Sequence, residues 1–418
     1  MNPDARNLLP LPSCQLMSLS MLKYFCVIGL LVCTLTFACG QNAAADVEVL
    51  QVPAKLGACL DQLLALTDHD SQAKPDMAAI GPVLDYLLTP KDQAATYSVG
   101  QRHGATSNYY EFNLERPFET VVALAYNPVI PSYLIIPSSL HKSKWIEIDG
   151  SRQQPFPDLS TAMRSDGDPV LVKGVEEVEN TPDTNSGAYY AYTLDRAIVL
   201  ARYRGRRVLL SMSSQRGKSN VGKKGLVLGA DDDWNYLYTG EKGCTHAGLG
   251  WASTYMYDSD SILIYYEETK PTPHVRCAVY KWVDAGWAGI NMVQPIHIKN
   301  GVKRFVKTFK EVVESPALPD PDTLAVAIRR IENLPTDTLR QEVKTTLDTL
   351  KAGHQDDNRL SRKWFARLFK NDRYLREMDR QELIATVCRE YLKYLLGKTH
   401  SFDIAFLEKV KIQPKRPG

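Results

Sequence analysis

The sequence predicts an α+β protein, with helical segments at both ends and a long antiparallel β region between them. Three observations predict it. Apolar residues recur at helical spacing over residues 53–90 and again from 301 onward. Residues from about 105 to 290 alternate apolar with polar and are cut by turn residues. "SPALPDPDT" (Ser315 to Thr323) places three prolines between two helical stretches and reads as a linker. The chain has 418 residues, 44% hydrophobic and 23% charged, the composition of a globular protein of two or three domains. Its net charge of +2 supplies no chain-wide positive field, so nucleic acid is not an expected partner.

From Met21 the chain reads "MLKYFCVIGLLVCTLTFACGQNAAADVEV": one lysine, an apolar run from Tyr24 to Ala38, then small polar residues. That is the layout of a secretory signal peptide, too short for a confident span. Cleavage after Ala43-Ala44-Ala45 leaves Asp46 as the mature N-terminus; residues 1–20 then form an upstream extension. The alternative is a bacterial lipobox at Leu35 to Cys39, with Phe37 a poor fit and Cys39 the lipidation candidate. Either way the expected location is periplasmic or envelope-associated. Cys59, Cys244, Cys277 and Cys388 remain after the leader; they allow three pairings and contain no CxxC, which argues against structural zinc.

The mature chain divides into a helical segment (46–100), an α+β domain (101–316) and a C-terminal helical domain (317–418). Leu56, Cys59, Leu60, Leu63 and Leu64, then Ile80, Val83, Leu84 and Leu87 after Pro75, read as a helical hairpin. Tyr110, Phe112 and Leu114 share a strand face; Pro117 opens a helix bearing Phe118, Val121, Val122 and Ala125. "KWIEI" (Lys144 to Ile148), "PVLVKGVEEVEN", "GAYYAYTL" and "RRVLLSMSS" read as strands, while "DRAIVLARY" fits a strand or a helical turn equally. Two or three more strands follow between Trp234 and Tyr266, with turns expected at "TGEKG" and "DSDS". Val302, Phe305, Val306, Phe309, Val312 and Val313 mark the clearest amphipathic helix. Leu324, Ile328, Ile331, Leu339, Val343 and Leu347, and later Leu383, Ile384, Val387, Tyr391 and Leu395, make the C-terminal region helical.

The aromatic stretch from Trp234 to Tyr266 is the first candidate site. Strand alternation puts Trp234, Tyr236 and Tyr238 on one face and Trp251, Tyr255 and Tyr257 on another. Such rows wall an apolar cavity, or simply stabilise a sheet as cross-strand pairs. The basic runs "RYRGRR" (Arg202 to Arg207) and "QRGKSNVGKKG" (Gln215 to Gly225) suit hairpin tips that meet an anionic headgroup or membrane surface, or that are merely solvated. Gly217-Lys218-Ser219 is no phosphate loop, because Met212 stands where its first glycine belongs. Asp231, Asp232 and Asp233 lack the alternating spacing of a calcium loop. Cys244 and His246 offer a thiol and a base without an orienting third group.

The order of elements, with "RPFETV" (Arg116 to Val121) and "DAGWAGINMV" (Asp284 to Val293) leading to "GVKRFVKTFKEVVES", resembles the START-like helix-grip superfamily of lipid-binding domains over about residues 105–316. The resemblance implies a curved antiparallel sheet gripping a long C-terminal helix around a cavity, and no family-wide catalytic residue. The leader and both helical flanks depart from that pattern.

The expected function is therefore an exported, non-catalytic protein that binds a lipid or other hydrophobic molecule. Its pocket is expected at Trp234, Tyr236, Trp251, Tyr255, Phe305 and Phe309, with Arg204, Arg206 and Arg207 at the headgroup, and neither metal nor cofactor. Two rival readings stand beside it. One is an envelope interaction protein acting through residues 321–418, with Trp364, Phe365 and Phe369. The other is a hydrolase or transferase of envelope glycan or lipid using Asp233, Cys244 and His246.

Overall fold

A computed structural model describes residues 49–402 and 406, except 93–94, 160–162, 164–167, 247–249, 361–365 and 367–368; of 244–246, 250–251 and 371 it describes the backbone alone. The expected leader with Cys39, and Trp364 and Phe365, lie outside the described residues. The protein is mixed α+β, with a large, mostly antiparallel sheet and, among the described residues, nine α-helices.

The strands are β1 (Val49–Gln51), β2 (Thr96–Ser98), β3 (Thr106–Leu114), β4 (Leu140–Ile148), β5 (Val170–Asn180), β6 (Ala188–Tyr189), β7 (Ala191–Tyr203), β8 (Arg206–Gln215), β9 (Lys223–Val227), β10 (Tyr236–Lys242), β11 (Cys244–His246), β12 (Gly250–Ala252), β13 (Thr254–Glu268), β14 (His274–Trp287) and β15 (Ile290–Asn291). The main sheet runs β1-β2-β3-β14-β13-β8-β7-β5-β4, with β15 beside β14. Only the β1–β2 pairing in it is parallel. β10, β9 and β6 form a second, small sheet.

Strand alternation sorts the core onto two faces. Val208, Leu210 and Met212 of β8, Ile262, Ile264 and Tyr266 of β13, and Ala278, Tyr280 and Trp282 of β14 share one apolar cluster with the helices α1 (Gly57–Leu64) and α2 (Met77–Leu88). Leu209, Tyr265, Cys277 and Val279 from the intervening positions join the other cluster. There they meet α3 (Phe118–Ala125), the short α4 (Ser132–Ile135), the long α5 (Pro295–Val313) and α6 (Pro321–Glu332). α7 (Thr336–Gly353) and α9 (Arg380–Leu395) complete that cluster, and α8 (Arg373–Glu377) contributes Tyr374 and Leu375.

Four local expectations change: "TGEKG" is not a turn after Tyr238, since β10 runs on to Lys242. "DRAIVLARY" is wholly strand, part of β7: Ala197 and Val199 are buried toward one cluster and Ile198 and Leu200 toward the other, so no apolar period survives to be read. "DSDS" is not a turn but the middle of β13, its serines and aspartates pointing to opposite faces. Trp234 is not on a strand with Tyr236; it ends a 3-10 turn at Asp231–Asp233 with φ 54°.

Candidate functional site: a cavity between the sheet and the long helix

Three ranks of side chains cross the α5-facing side of the sheet, each two residues further along the strands. In the first, Leu200, Leu209, Tyr265, Cys277 and Phe112 stand opposite one another. Ile198, Ser211, Leu263, Val279 and Tyr110 make the second. The third is Arg196, Ser213, Ser261 and Lys281. The surface therefore grades from apolar to polar within one strand length. Where the bulky first rank meets α5, Phe112 lies edge-on to Phe305 and Phe309 at 6.3 and 6.4 Å, and Tyr265 touches Phe309 at 6.2 Å. Toward the serines the side chains are too short to follow.

The result is a cavity of about 1320 Å³, above the roughly 300–1,000 Å³ of ordinary small-molecule sites. Phe305, Phe309, Val302 and Ile298 of α5 line it, with Tyr126, Ile130, Tyr133, Ile136 and Trp145, and on the sheet Ser211, Leu263 and Val279 of the second rank and all of the third.

Its polar end is hydrogen-bonded. Arg196 donates from Nη1 to Glu176 Oε2 at 2.7 Å and from Nη2 to Ser211 Oγ at 2.9 Å, and its guanidinium sits 5.5 Å from the Trp145 ring. Ser213 and Ser261 share a hydrogen bond of 2.7 Å. Lys281 Nζ donates to Ser259 Oγ at 2.6 Å. Burial pushes the Glu176 carboxyl up, while Arg196 and Ser132 pull it back. Burial also lowers Lys281 to about 8, partly offset by Asp260 and Asp258 and reinforced by Arg196. Tyr192, at the same end, is raised by burial to about 12.

The Ser259–Lys281 contact has the spacing of a nucleophile and its base. Ser259 is 1% exposed and lines the cavity beside Lys281.

Of the residues singled out in the sequence, Phe305 and Phe309 line the cavity. Trp234 and Tyr236 do not; they border a separate space of about 30 Å³ beside α7 and α9. Trp234 is 1% exposed, with Lys398 Nζ 4.4 Å from its ring, and the Tyr236 hydroxyl bonds Asp231 Oδ1 at 2.8 Å. Tyr255 is not a lining residue; it lies beside Tyr257 and under Lys218, which lines the cavity. The side chains of Trp251, Cys244 and His246 lie outside the described residues, and Asp233 accepts from the Ala230 N–H at 3.2 Å.

The first basic run is engaged elsewhere, whereas Arg216 and Lys218 of the second line the cavity. Arg204 pairs with Asp85 at 2.6 Å; Arg207 pairs with Glu267 at 2.5 Å and with Glu119; Arg206 opens β8 opposite Tyr203. None of the three lines the cavity. Phe369 packs on Tyr374 at 5.9 Å. Cys59, Cys277 and Cys388 are free thiols. His103, Asp258 and Asp260 gather within 4.8 Å, but Arg102 Nε already holds Asp260 at 2.8 Å.

Sequence reasoning passed over Ser211, Ser213, Ser261, Arg196 and Lys281. The available signal was period two: in "LLSMSS" Ser211 and Ser213 alternate with Leu210 and Met212, and in "SDSILIY" Ser261 stands on the alternate set from Ile262 and Ile264. No protein-family model matches the chain, and no curated protein matches it in sequence.

Proposed function

We propose that this protein is an exported carrier or receptor for an amphipathic small molecule, most simply a lipid, held between the sheet and α5 in a helix-grip arrangement of the START-like kind. The observation that carries this reading is the cavity itself, with rings at one end and a hydrogen-bonded polar rank at the other. A purely structural sheet–helix interface fills such space, because unfilled volume forfeits dispersion contacts. The exposed Trp287, Ile290, Met292 and Ile296 flank the lining residues Val293 and His297 and give the cavity an apolar approach suited to a membrane surface. A periplasmic or envelope location follows from the leader and belongs to the same proposal.

The test is native mass spectrometry of the mature chain from Asp46, isolated from its envelope without detergent, followed by solvent extraction. A discrete adduct that extracts as an amphiphile supports the carrier reading. A bare mass, together with no uptake of lipid probes, removes it.

A further inference from the structure

Within that carrier reading, we infer that Lys281 is the anion-holding residue of the cavity and that the ligand is a long-chain amphiphile with a singly charged acidic head, of the fatty-carboxylate class.

The argument starts from charge. Arg196 and Lys281 stand at the two ends of the polar rank. Arg196 is neutralised in place by Glu176 at 2.7 Å. Lys281 has no such partner: among the described residues no carboxylate lies within 4.0 Å of its Nζ, and its hydrogen bond goes to the neutral Ser259 hydroxyl. An ammonium has three donors and no acceptor, so one hydroxyl leaves most of its capacity unused. Asp258 and Asp260, which favour its charge, sit on the adjoining strand; Asp260 is committed to Arg102. Of the two cations of the polar rank, Lys281 is thus the one without a paired carboxylate, a buried charge that a bound anion would offset.

The shape of the site names the rest of the ligand. From Lys281 the lining residues along the strands pass Leu263 and Val279, then Tyr265, beneath Phe305 and Phe309. Four residues of strand rise make this run about 13 Å, long enough for an alkyl chain laid away from the head. Arg196 adds a second donor source, since its Nε is buried without a hydrogen-bond partner. A carboxylate matches one free ammonium; a neutral lipid head leaves it unpaired.

The experiment compares oleate with oleyl alcohol, which share a tail and differ in head charge, by competition against a fluorescent fatty-acid probe at pH 7. Wild type is expected to prefer oleate at least tenfold. Lys281→Met is expected to erase the preference while keeping the alcohol's affinity, and Lys281→Arg to retain it. Lys281→Gln, a second neutral variant, is read by the same ratio should the methionine variant fold poorly. Equal binding of both probes by wild type, or an undiminished preference in the neutral variants, overturns the assignment of Lys281 while leaving the carrier reading standing. Binding of neither probe overturns the carrier reading and this inference with it.

Discussion

Two ring-rich regions lie on the same side of this protein, and only one is hollow. Around Trp234 and Tyr238 the rings are closed in. His141 stacks on Tyr238 at 3.5 Å and 9°, Tyr189 meets it edge-on at 5.1 Å, and the Tyr374 hydroxyl accepts from the Tyr238 N–H. Arg389 and Lys393 of α9 reach across to the His141 carbonyl and Asn235. Around Phe305 the rings face serines, and 1320 Å³ stays open. The difference teaches that aromatic density marks a filled site as readily as a binding site. What leaves room is a row of short side chains opposite rings that neighbours hold apart.

Acid gives the largest contrast. Burial lowers His141 from 6.5 to about 3, with the Glu179 hydrogen bond only partly opposing it. The folded state therefore binds this proton less readily than the unfolded state. The stability it contributes is full above pH 6.5 and is lost as pH falls toward 3, on the order of 4 to 5 kcal/mol. Denaturant melts of wild type across that window should lose stability that His141→Gln does not lose; parallel curves would show that the packed region is not gated by this ring.

Next comes truncation. Trp234→Ala should cost about 3 to 5 kcal/mol by chemical denaturation, leaving the oleate-to-alcohol ratio unchanged. Ser261→Phe should do the opposite. It fills space, so stability holds or gains up to about 2 kcal/mol while lipid uptake is lost. If Trp234→Ala instead alters ligand choice, the separation of the two regions fails.

The smallest effect concerns Lys281. Its folded value of about 8, below the ordinary 10.5, makes the charged amine a penalty at neutral pH that is relieved as pH rises from 8 to 10.5. Lys281→Met should thus stabilise the ligand-free protein at pH 7 by roughly 3 kcal/mol or less, with the gap closing toward pH 10. A variant no more stable than wild type at pH 7 would indicate that the ammonium is already compensated.

Much of the secondary structure was legible because it depends on near neighbours. The stripe from Val302 to Val313 is an amphipathic helix wherever it packs, and Pro117 stands as the N-cap of α3, one residue before the helix begins. β7 was ambiguous because both of its faces are buried, which erases the alternation that marks a strand. "DSDS" misled because its residue types favour turns, yet all four residues pair with β14 and Asp260 and Ser261 also with β8.

The candidate site was half legible. Phe305 and Phe309 announce themselves by helical period, whereas Arg196, Ser213, Ser261 and Lys281 sit on four strands and become one rank only through register. Likewise the charge of Arg204 and Arg207 is plain in the sequence, but its partners Asp85, Glu119 and Glu267 come from distant segments. The sequence by itself determined the helices, most strands and their two-faced alternation, since these follow from local periodicity and backbone sterics. Only the tertiary structure decided which rings are covered, which cation keeps no counter-ion, and where the sheet and α5 leave space, because each depends on contacts between residues remote along the chain.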